Sequence, residues 1–243
     1  DIVLGTGGFK ITGEGASSQL GASIAGVGDV NGDGINDFLL GAIGDEESGA
    51  AYVVFGTQAS VSGLSLGEVA QGSGGFKIIG ENTNDFVGGS LSSAGDVNGD
   101  GIADLLIGAS RNDSTGTDAG AAYVVFGTNV PSSTIRLSDV ALGTGGYKIF
   151  AENAGDHAGS AISSAGDVNG DGIADILIGA PFNSTGESLA GAAYVIFGTT
   201  NPTNSVHLSD IAQGTGGFKL IGNTYQGFAG QSVSAAGDMN HDG

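Results

Sequence analysis

One seven-residue phrase, Gly-Asp-Val-Asn-Gly-Asp-Gly, recurs along the chain and constrains its fold more than any other feature. The phrase occupies residues 28–34, 95–101 and 166–172, and the variant GDMNHDG occupies residues 237–243. The first aspartates of the four copies, Asp29, Asp96, Asp167 and Asp238, are separated by 67, 71 and 71 residues. A long fixed period is typical of architectures in which each structural unit packs on its neighbours. The sequence therefore predicts an array of repeated units.

Each unit contains four short apolar stretches separated by turn-forming residues. In the second unit they lie at residues 75–80, 90–95, 103–109 and 121–126. None has the length or spacing of a helix, and four short strands in each repeated unit are typical of propeller blades. The stretch at 103–109 is apolar on both faces, as expected for a blade packed between two others. We predict an all-β fold with blade-like units at about 9–81, 82–152 and 153–222 and a partial unit at 223–243.

The composition is consistent with this interpretation and makes some functions improbable. Glycine supplies 49 of 243 residues, which suits frequent turns and close backbone approach on inner strands. The chain carries 26 acidic residues against 6 lysines and arginines, a balance that repels nucleic acids and anionic membranes. No apolar run reaches the length of a membrane-spanning helix. We therefore expect no nucleic-acid partner and no membrane insertion.

Several charged residues recur at fixed places in the repeat. Four lysines share one place and three glutamates share another, namely Lys10, Lys77, Lys148, Lys219 and Glu14, Glu81, Glu152. Recurrence in every unit favours a shared structural position over a catalytic one. His207 lies in an alternating segment and is expected to face solvent.

The repeated phrase also carries a pattern of oxygen ligands. Acidic residues fall at positions 1, 5 and 9, with asparagine at position 3 and glycine at position 6. Oxygen ligands at alternate positions, a glycine for the turn, and a backbone carbonyl at position 7 can surround one Ca²⁺ ion. The predicted ligands of the three complete loops are Asp29, Asn31, Asp33, Ile35 and Asp37; Asp96, Asn98, Asp100, Ile102 and Asp104; and Asp167, Asn169, Asp171, Ile173 and Asp175. A fourth, truncated loop supplies Asp238, Asn240 and Asp242.

Two other interpretations of the loops fit the sequence less well. An EF-hand requires a glutamate at position 12 that leads into a helix, but position 12 is Leu40, Ile107 or Ile178 within an apolar run. A plain polar turn explains the Asn-Gly and Asp-Gly pairs but leaves the additional aspartate at position 9 unexplained. The sequence therefore favours calcium.

The units resemble FG-GAP repeats, which form the blades of the integrin α-subunit propeller and of many bacterial surface proteins. The Phe-Gly part matches residues 86–88 and 228–230, and the Gly-Ala-Pro part matches residues 179–181. His157 replaces the phenylalanine in one copy, so it is interpreted as filling that place. The resemblance implies four-stranded blades in a propeller of about seven, calcium loops between the first and second strands, and an extracellular setting. About three and a half blades are present, so we expect a segment of a larger propeller.

Two classes of function follow from these observations. The first is a calcium-binding extracellular module, secreted or at the cell surface, with a structural, adhesive or surface-assembly role. Its partners would be a protein or glycan ligand, or neighbouring copies or blades, with the variable loops at 111–119 and 182–190 as the contact candidates. Both loops contain an N-glycosylation tripeptide, at Asn112 and Asn183. The alternative is the calcium-stabilised scaffold of a secreted carbohydrate-active enzyme such as a polysaccharide lyase, although no nucleophile motif is present. A calcium sensor is disfavoured because the loops have no helix pair to open.

Overall fold

The fold consists of short β-strands, as the sequence predicts. The computed structural model describes residues 8–59, 61 and 63–237. Within them the strands are β1 (Lys10–Thr12), β2 (Leu20–Gly28), β3 (Asp37–Ala42), β4 (Ala50–Val54), β5 (Gly63–Ser65), β6 (Gly75–Ile79), β7 (Leu91–Gly95), β8 (Asp104–Ala109), β9 (Ala121–Val125), β10 (Thr134–Arg136), β11 (Gly146–Phe150), β12 (Ala161–Gly166), β13 (Asp175–Ala180), β14 (Ala192–Ile196), β15 (Ser205–His207) and β16 (Gly217–Ile221). The same described residues contain three helices of four residues each, α1 (Leu66–Val69), α2 (Leu137–Val140) and α3 (Leu208–Ile211).

Three antiparallel sheets form the blades. Their strands follow the orders β2-β3-β4-β6, β7-β8-β9-β11 and β12-β13-β14-β16. Of the four apolar stretches named above, residues 75–80 contain β6 of the first sheet, and the other three contain β7, β8 and β9 of the second sheet. The predicted all-β fold with four-stranded propeller blades is confirmed.

A fifth, parallel strand reaches from each unit back to the preceding one. Strand β10 pairs with β6 in the first sheet, and β15 pairs in the same way with β11 in the second. At the start of the chain, β5 pairs with β1 in a separate two-stranded sheet. The second and third units therefore each donate an outer strand to the preceding sheet, and β5 pairs in the same parallel way with β1; we call β5, β10 and β15 the donated strands.

A one-turn helix follows each donated strand, and these helices lie outside the apolar stretches that the sequence predicts to be strands. Each helix buries its first and fourth residues, as in Leu137 and Val140 of α2. Residues three apart lie on the same side of a helix, so a single turn is enough to bury this pair. Four residues are too few to produce a recognisable helical period in the sequence.

The hydrophobic core lies between successive sheets. In β8, Leu105 and Ile107 pack in the cluster shared with the first sheet. Leu106 packs in the cluster shared with the third sheet. Successive residues of a strand point to opposite faces, so an uninterrupted apolar strand serves both neighbours. This confirms that the central blade is buried on both sides.

Two glycines of the repeat bring backbones into contact. A β-carbon on Gly41 in β3 would lie 1.9 Å from the carbonyl oxygen of Gly88. The same approach recurs between Gly108 and Gly159, at 2.2 Å, and between Gly179 and Gly230, at 1.9 Å. The glycine of each Gly-Ala-Pro part therefore faces the glycine of a Phe-Gly part, and a side chain at this position would collide with the facing backbone.

Replacing Gly41 with alanine is expected to lower the free energy of unfolding by about 1–3 kcal/mol, because the methyl group must push two backbone segments apart. Urea unfolding followed by circular dichroism measures this loss. Gly26→Ala in β2 is the matched control, since no atom lies within 4 Å of its added β-carbon. Equal stability of the two variants would contradict the close-approach explanation.

Candidate functional site

The three complete aspartate-rich loops connect the first and second strands of each blade. They join β2 to β3, β7 to β8 and β12 to β13, and the ninth position of each loop is the first residue of the second strand. The predicted ligands of these loops all lie in described residues. Asp238, Asn240 and Asp242 lie outside the described residues, so the fourth loop stays a prediction.

The carboxylate at position 1 organises the turn. In the first loop, Asp29 accepts hydrogen bonds from the backbone amides of Gly32, Asp33 and Gly34 at 2.7, 3.0 and 2.7 Å. The bond from Gly34 is the main reason that the pKa of Asp29 lies below its usual range, and the other amides lower it further. This carboxylate is therefore kept ionised.

Positions 3 and 5 face each other across the turn. The side-chain amide of Asn31 donates to the Asp33 carboxylate at 3.0 Å, while the Asn31 side-chain oxygen accepts from the Asp33 amide at 2.9 Å. Asp33 also accepts a bond from the backbone amide of Ile35 at 2.8 Å. The equivalent bonds recur in the other two loops, at Asn98, Asp100, Ile102 and at Asn169, Asp171, Ile173.

The carboxylate at position 9 is buried. Asp37 is 2% exposed and accepts bonds from the backbone amides of Val30 and Gly56 at 3.0 and 2.8 Å. Burial raises the pKa of Asp37, and the negative charges of Asp33 and Asp29 add to the rise. In the second loop, burial raises the pKa of the equivalent Asp104 to about 7. Burial also raises the pKa of Asp175 in the third loop.

The donor set of each loop fits a hard cation. Every predicted side-chain ligand is a carboxylate or an amide, and the ion pairs found in the described residues include none of these aspartates. A carboxylate has about four lone-pair positions, so the two or three bonds it accepts leave room for a metal. Over the same residues, no group of three acidic, histidine or cysteine side chains converges as a ready-made metal cluster. The loops bring positions 1, 3 and 5 together and hold position 9 separately beside them.

The loops also lie at the seam between blades. The carbonyl oxygen of Val30 accepts a bond from the amide of Thr128 in the next unit at 3.0 Å. The carbonyl of Val97 accepts the equivalent bond from Thr199 at 2.9 Å. Whatever rigidifies a loop therefore also holds the segment that leads to the next donated strand.

A second recurring group of polar residues joins the blades, and we call it the interblade network. Glu81 follows the last strand of the first sheet, and its carboxylate accepts bonds from Tyr123 and Lys148 of the second sheet, both at 2.5 Å. The Lys148 ammonium also donates to Ser114 and lies 5.3 Å from the centre of the Tyr123 ring. The Lys148 side chain is 1% exposed. One carboxylate thus satisfies a buried cation and a buried hydroxyl of the neighbouring blade.

The network recurs at the other two junctions. Glu152 accepts bonds from Tyr194 and Lys219, again at 2.5 Å. Glu14 accepts them from Tyr52 and Lys77. Burial alone would raise the pKa of Glu14, but the bonds from Lys77 and Tyr52 outweigh it and lower the pKa. The structural interpretation of the recurring lysines and glutamates is therefore correct for these three pairs, whereas Lys10 is exposed. The tyrosine was not predicted to belong to this group, although an Ala-Ala-Tyr-Val segment recurs in every unit.

The fold buries the asparagine of each N-glycosylation tripeptide. The Asn112 side chain is fully buried and donates to the buried carboxylate of Asp85 at 2.8 Å. Asn183 is equally buried and donates to Asp156 at 2.7 Å. A glycan on either amide nitrogen is incompatible with this packing. The loops at 111–119 and 182–190 still expose most of their other residues.

Replacing Asn112 with alanine is expected to cost about 1–3 kcal/mol of unfolding free energy, because the buried Asp85 carboxylate loses its shortest side-chain hydrogen bond. Chemical denaturation measures this change. The same substitution at the exposed Asn204 is the control and is expected to have little effect. A loss at Asn112 no larger than at Asn204 would show that the buried bond is unimportant.

The histidines occupy structural places. His157 has a φ of 50°, close to the 66° and 49° of Phe86 and Phe228 in the same repeat position, and its ring lies 4.8 Å from that of Phe182. His207 is exposed in β15 and stacks on Phe150 at 4.8 Å. Both positions agree with the interpretations made from the sequence.

The described helices are all too short and insufficiently apolar to cross a membrane.

Comparisons with known proteins identify relatives over nearly the whole chain. The family described as FG-GAP repeat matches residues 87–125 and 158–196. Integrin alpha-5 from Xenopus laevis is 30% identical over 231 residues, and integrin alpha-V from Gallus gallus is 29% identical over 229 residues. Each alignment covers 93% of this chain and 19% of the relative. The chain thus carries FG-GAP repeats, is homologous to integrin α chains, and spans about a fifth of the length of these relatives.

Proposed function

We propose that this FG-GAP repeat chain, a relative of integrin α subunits, is a calcium-binding extracellular propeller module with a structural or adhesive role. The observation that carries the proposal is the set of three aspartate-rich loops, which share one hydrogen-bond pattern and lie at the seams between blades. A repulsive group of carboxylates in the same place in every blade is well explained by a bound divalent cation.

The residues that would hold the ion follow from the loop geometry. In the first loop they are Asp29, Asn31, Asp33, the carbonyl of Ile35, and Asp37, with the equivalent residues in the second and third loops. When bound, Ca²⁺ supplies positive charge that offsets the repulsion among these carboxylates. Five to six protein oxygens, completed by water or a bidentate aspartate, suit calcium better than magnesium, which requires strict octahedral geometry.

The role of the chain itself is then to present a rigid surface to a binding partner. The relatives are named as integrin alpha chains, which favours an adhesive or surface-assembly role outside the cell. The exposed parts of the loops at 111–119 and 182–190 are the proposed contacts for a protein or glycan ligand. The excess of acidic residues keeps such a surface soluble. The alternative of a carbohydrate-active enzyme stays a prediction.

Isothermal titration calorimetry with Ca²⁺ tests the proposal. Asp33→Asn, Asp100→Asn and Asp171→Asn each replace one position-5 carboxylate by an isosteric amide on the loop surface. Each substitution is expected to abolish or weaken one site at least tenfold, because one anionic ligand is lost. Glu187→Gln, on an exposed loop, is the charge-matched control. Unchanged titrations in the triple variant, or no calcium binding by the natural chain, would exclude these loops as the sites.

A further inference from the structure

A cavity lies at the seam between the second and third blades, beside the second aspartate-rich loop. It is formed by residues 197–204, which link β14 to β15, together with helix α3 and Tyr147 of β11. The amide of Thr199 in this linker donates to the carbonyl of Val97 in the loop, so one wall is anchored to the second blade. The volume is about 320 Å³, which is enough for a small organic ligand. We call this space the seam cavity.

The seam cavity is a feature of the repeat and does not depend on where the chain ends. Equivalent cavities of about 300 and 310 Å³ lie at the two earlier places of the repeat. One of them is lined by residues within 126–145 alone, although the following unit packs beside it. A following unit therefore leaves this kind of cavity open.

One hydroxyl distinguishes the seam cavity from its equivalents. Tyr147 lines the cavity and is 5% exposed. The same place in the other units holds phenylalanine, namely Phe9, Phe76 and Phe218. The phenol is therefore not needed for packing at this place in the repeat.

The Tyr147 hydroxyl has no partner among the described residues, whereas the hydroxyls of Tyr123 and Tyr194 bond to glutamates. In the same part of the chain, every fully buried side-chain oxygen or nitrogen does have a partner. The Tyr147 hydroxyl is therefore not sealed in the core, and it reaches the open space that the residue lines. A hydroxyl in such a site gains free energy when a ligand supplies a hydrogen-bonding atom.

The Asp210 carboxylate is a second polar group open to a ligand. Asp210 lies in α3, lines the cavity, and takes part in none of the ion pairs of the described residues. In the cavity within residues 126–145, the equivalent Asp139 shares the lining with Arg136. His207 replaces that arginine in the seam cavity, which therefore lacks a permanent positive charge. The carboxylate can accept hydrogen bonds from an uncharged ligand.

The remaining lining combines apolar side chains with hydroxyls. Ile196 and Val206 supply aliphatic surface, and Thr199 and Thr215 supply hydroxyls. A pyranose ring has matching chemistry, because its C–H groups form an apolar face and its hydroxyls both donate and accept. An apolar or aromatic protein side chain would leave most of these polar groups without a partner. An anionic sugar would be repelled by Asp210 and by the formal net charge of −20.

We propose that the seam cavity binds an uncharged hexopyranose residue of a glycan. The Tyr147 hydroxyl and the Asp210 carboxylate bond to its hydroxyls, and the aliphatic side chains contact its C–H face. The site goes beyond the proposed function, because the variable loop at 182–190 precedes β14 whereas the linker at 197–204 follows it. The two therefore lie at opposite ends of that strand, and the inference does not depend on the calcium proposal.

Ligand-observed NMR titration of the chain tests the proposal. The probes are the methyl pyranosides of glucose, galactose, mannose and N-acetylglucosamine, with p-cresol as an analogue of a protein side chain. We expect at least one pyranoside to bind with a Kd of about 1 mM, which is typical for a ligand of this size. Binding of p-cresol alone would overturn the sugar as the occupant, and binding of no probe would overturn the cavity as a site.

Two substitutions connect the binding to the cavity. Tyr147→Phe removes only the hydroxyl and installs the residue that the other units use, so the melting temperature is expected to stay unchanged. We expect it to weaken sugar binding about three- to tenfold, since one hydrogen bond is lost. Asp210→Asn is expected to weaken binding about tenfold, because a charged acceptor is lost. Asp139→Asn, at the same place in a cavity without tyrosine, is the matched control. Equal affinities of the natural chain and Tyr147→Phe would refute the assignment.

The tyrosine rings provide an independent readout of the location. The chain contains 5 tyrosines, so selective isotope labelling gives a simple spectrum. The signal that is lost in Tyr147→Phe identifies the Tyr147 ring. We expect this signal to shift most when the bound pyranoside is added. A larger shift at any other tyrosine would place the sugar elsewhere and overturn the seam cavity as its site.

Discussion

Removal of calcium with EGTA is expected to destabilise the protein more than any single substitution. A site that is filled at 100 times its Kd contributes about 2.7 kcal/mol to folding, so three loops contribute about 8 kcal/mol. This is comparable with the whole stability of a typical domain, about 5–15 kcal/mol. The physical reason is that the unfolded chain holds no preformed site, whereas each folded loop keeps its carboxylates close enough together for the proposed ion to offset their repulsion. Thermal unfolding in millimolar calcium and in EGTA measures the difference.

The triple variant Asp33→Asn, Asp100→Asn, Asp171→Asn is the control for this experiment. Its melting temperature is expected to be almost independent of calcium, because each loop has lost a ligand. Magnesium at equal concentration is expected to restore little of the stability. A natural chain that melts at the same temperature in calcium and in EGTA would refute a stabilising role for the metal.

The largest effect of a single substitution is expected at Glu81. Replacing Glu81 with alanine leaves the neutral Ser114 hydroxyl as the remaining hydrogen-bond acceptor of the buried Lys148 ammonium among the described residues, and it removes the acceptor of the Tyr123 hydroxyl. Breaking one partner of a buried ion pair costs about 3–5 kcal/mol, because the remaining charge is uncompensated. The free energy of unfolding from urea titration measures this loss. Because Glu81 follows the first sheet and Lys148 lies in the second, the substitution also weakens the contact between the first and second blades.

A double-mutant cycle distinguishes the network from a general effect of charge. Glu81→Ala combined with Lys148→Met is expected to be less destabilised than the sum of the single variants, because no unpaired charge remains. Glu187→Gln removes an exposed carboxylate and is expected to change stability little. Additive losses in the cycle would mean that Glu81 and Lys148 do not act as a pair.

The blade strands were predictable because their signals are local. The apolar stretch at 103–109 and its flanking turn residues lie within a few residues of each other, and β8 forms there. The donated strand β10 has three residues, and its partner β6 lies far away in sequence, so no local pattern reveals the pairing.

In the candidate site, too, the features with local signals were predictable and those that depend on distant residues were not. The aspartates at positions 1, 5 and 9 are close in sequence, so the ligand set could be proposed from spacing alone. The interblade network could not, because Glu81 lies 42 residues from Tyr123 and 67 from Lys148. Recurrence in the repeat indicated a structural role for Lys148 and Glu81. It did not predict that they contact each other, or that Tyr123 donates a hydrogen bond to the same carboxylate.

The sequence by itself determined the repeat, the four strands of each blade, the position of the aspartate-rich loops, and the need for glycine. These features depend on alternation, turn chemistry and spacing within one unit. The tertiary structure decided which unit donates a strand to which, how the buried lysines are neutralised, and why Asn112 and Asn183 are closed to glycans. Each of these depends on contacts that form only when one blade packs against the next, because pairing and burial between distant segments are set by the packed array.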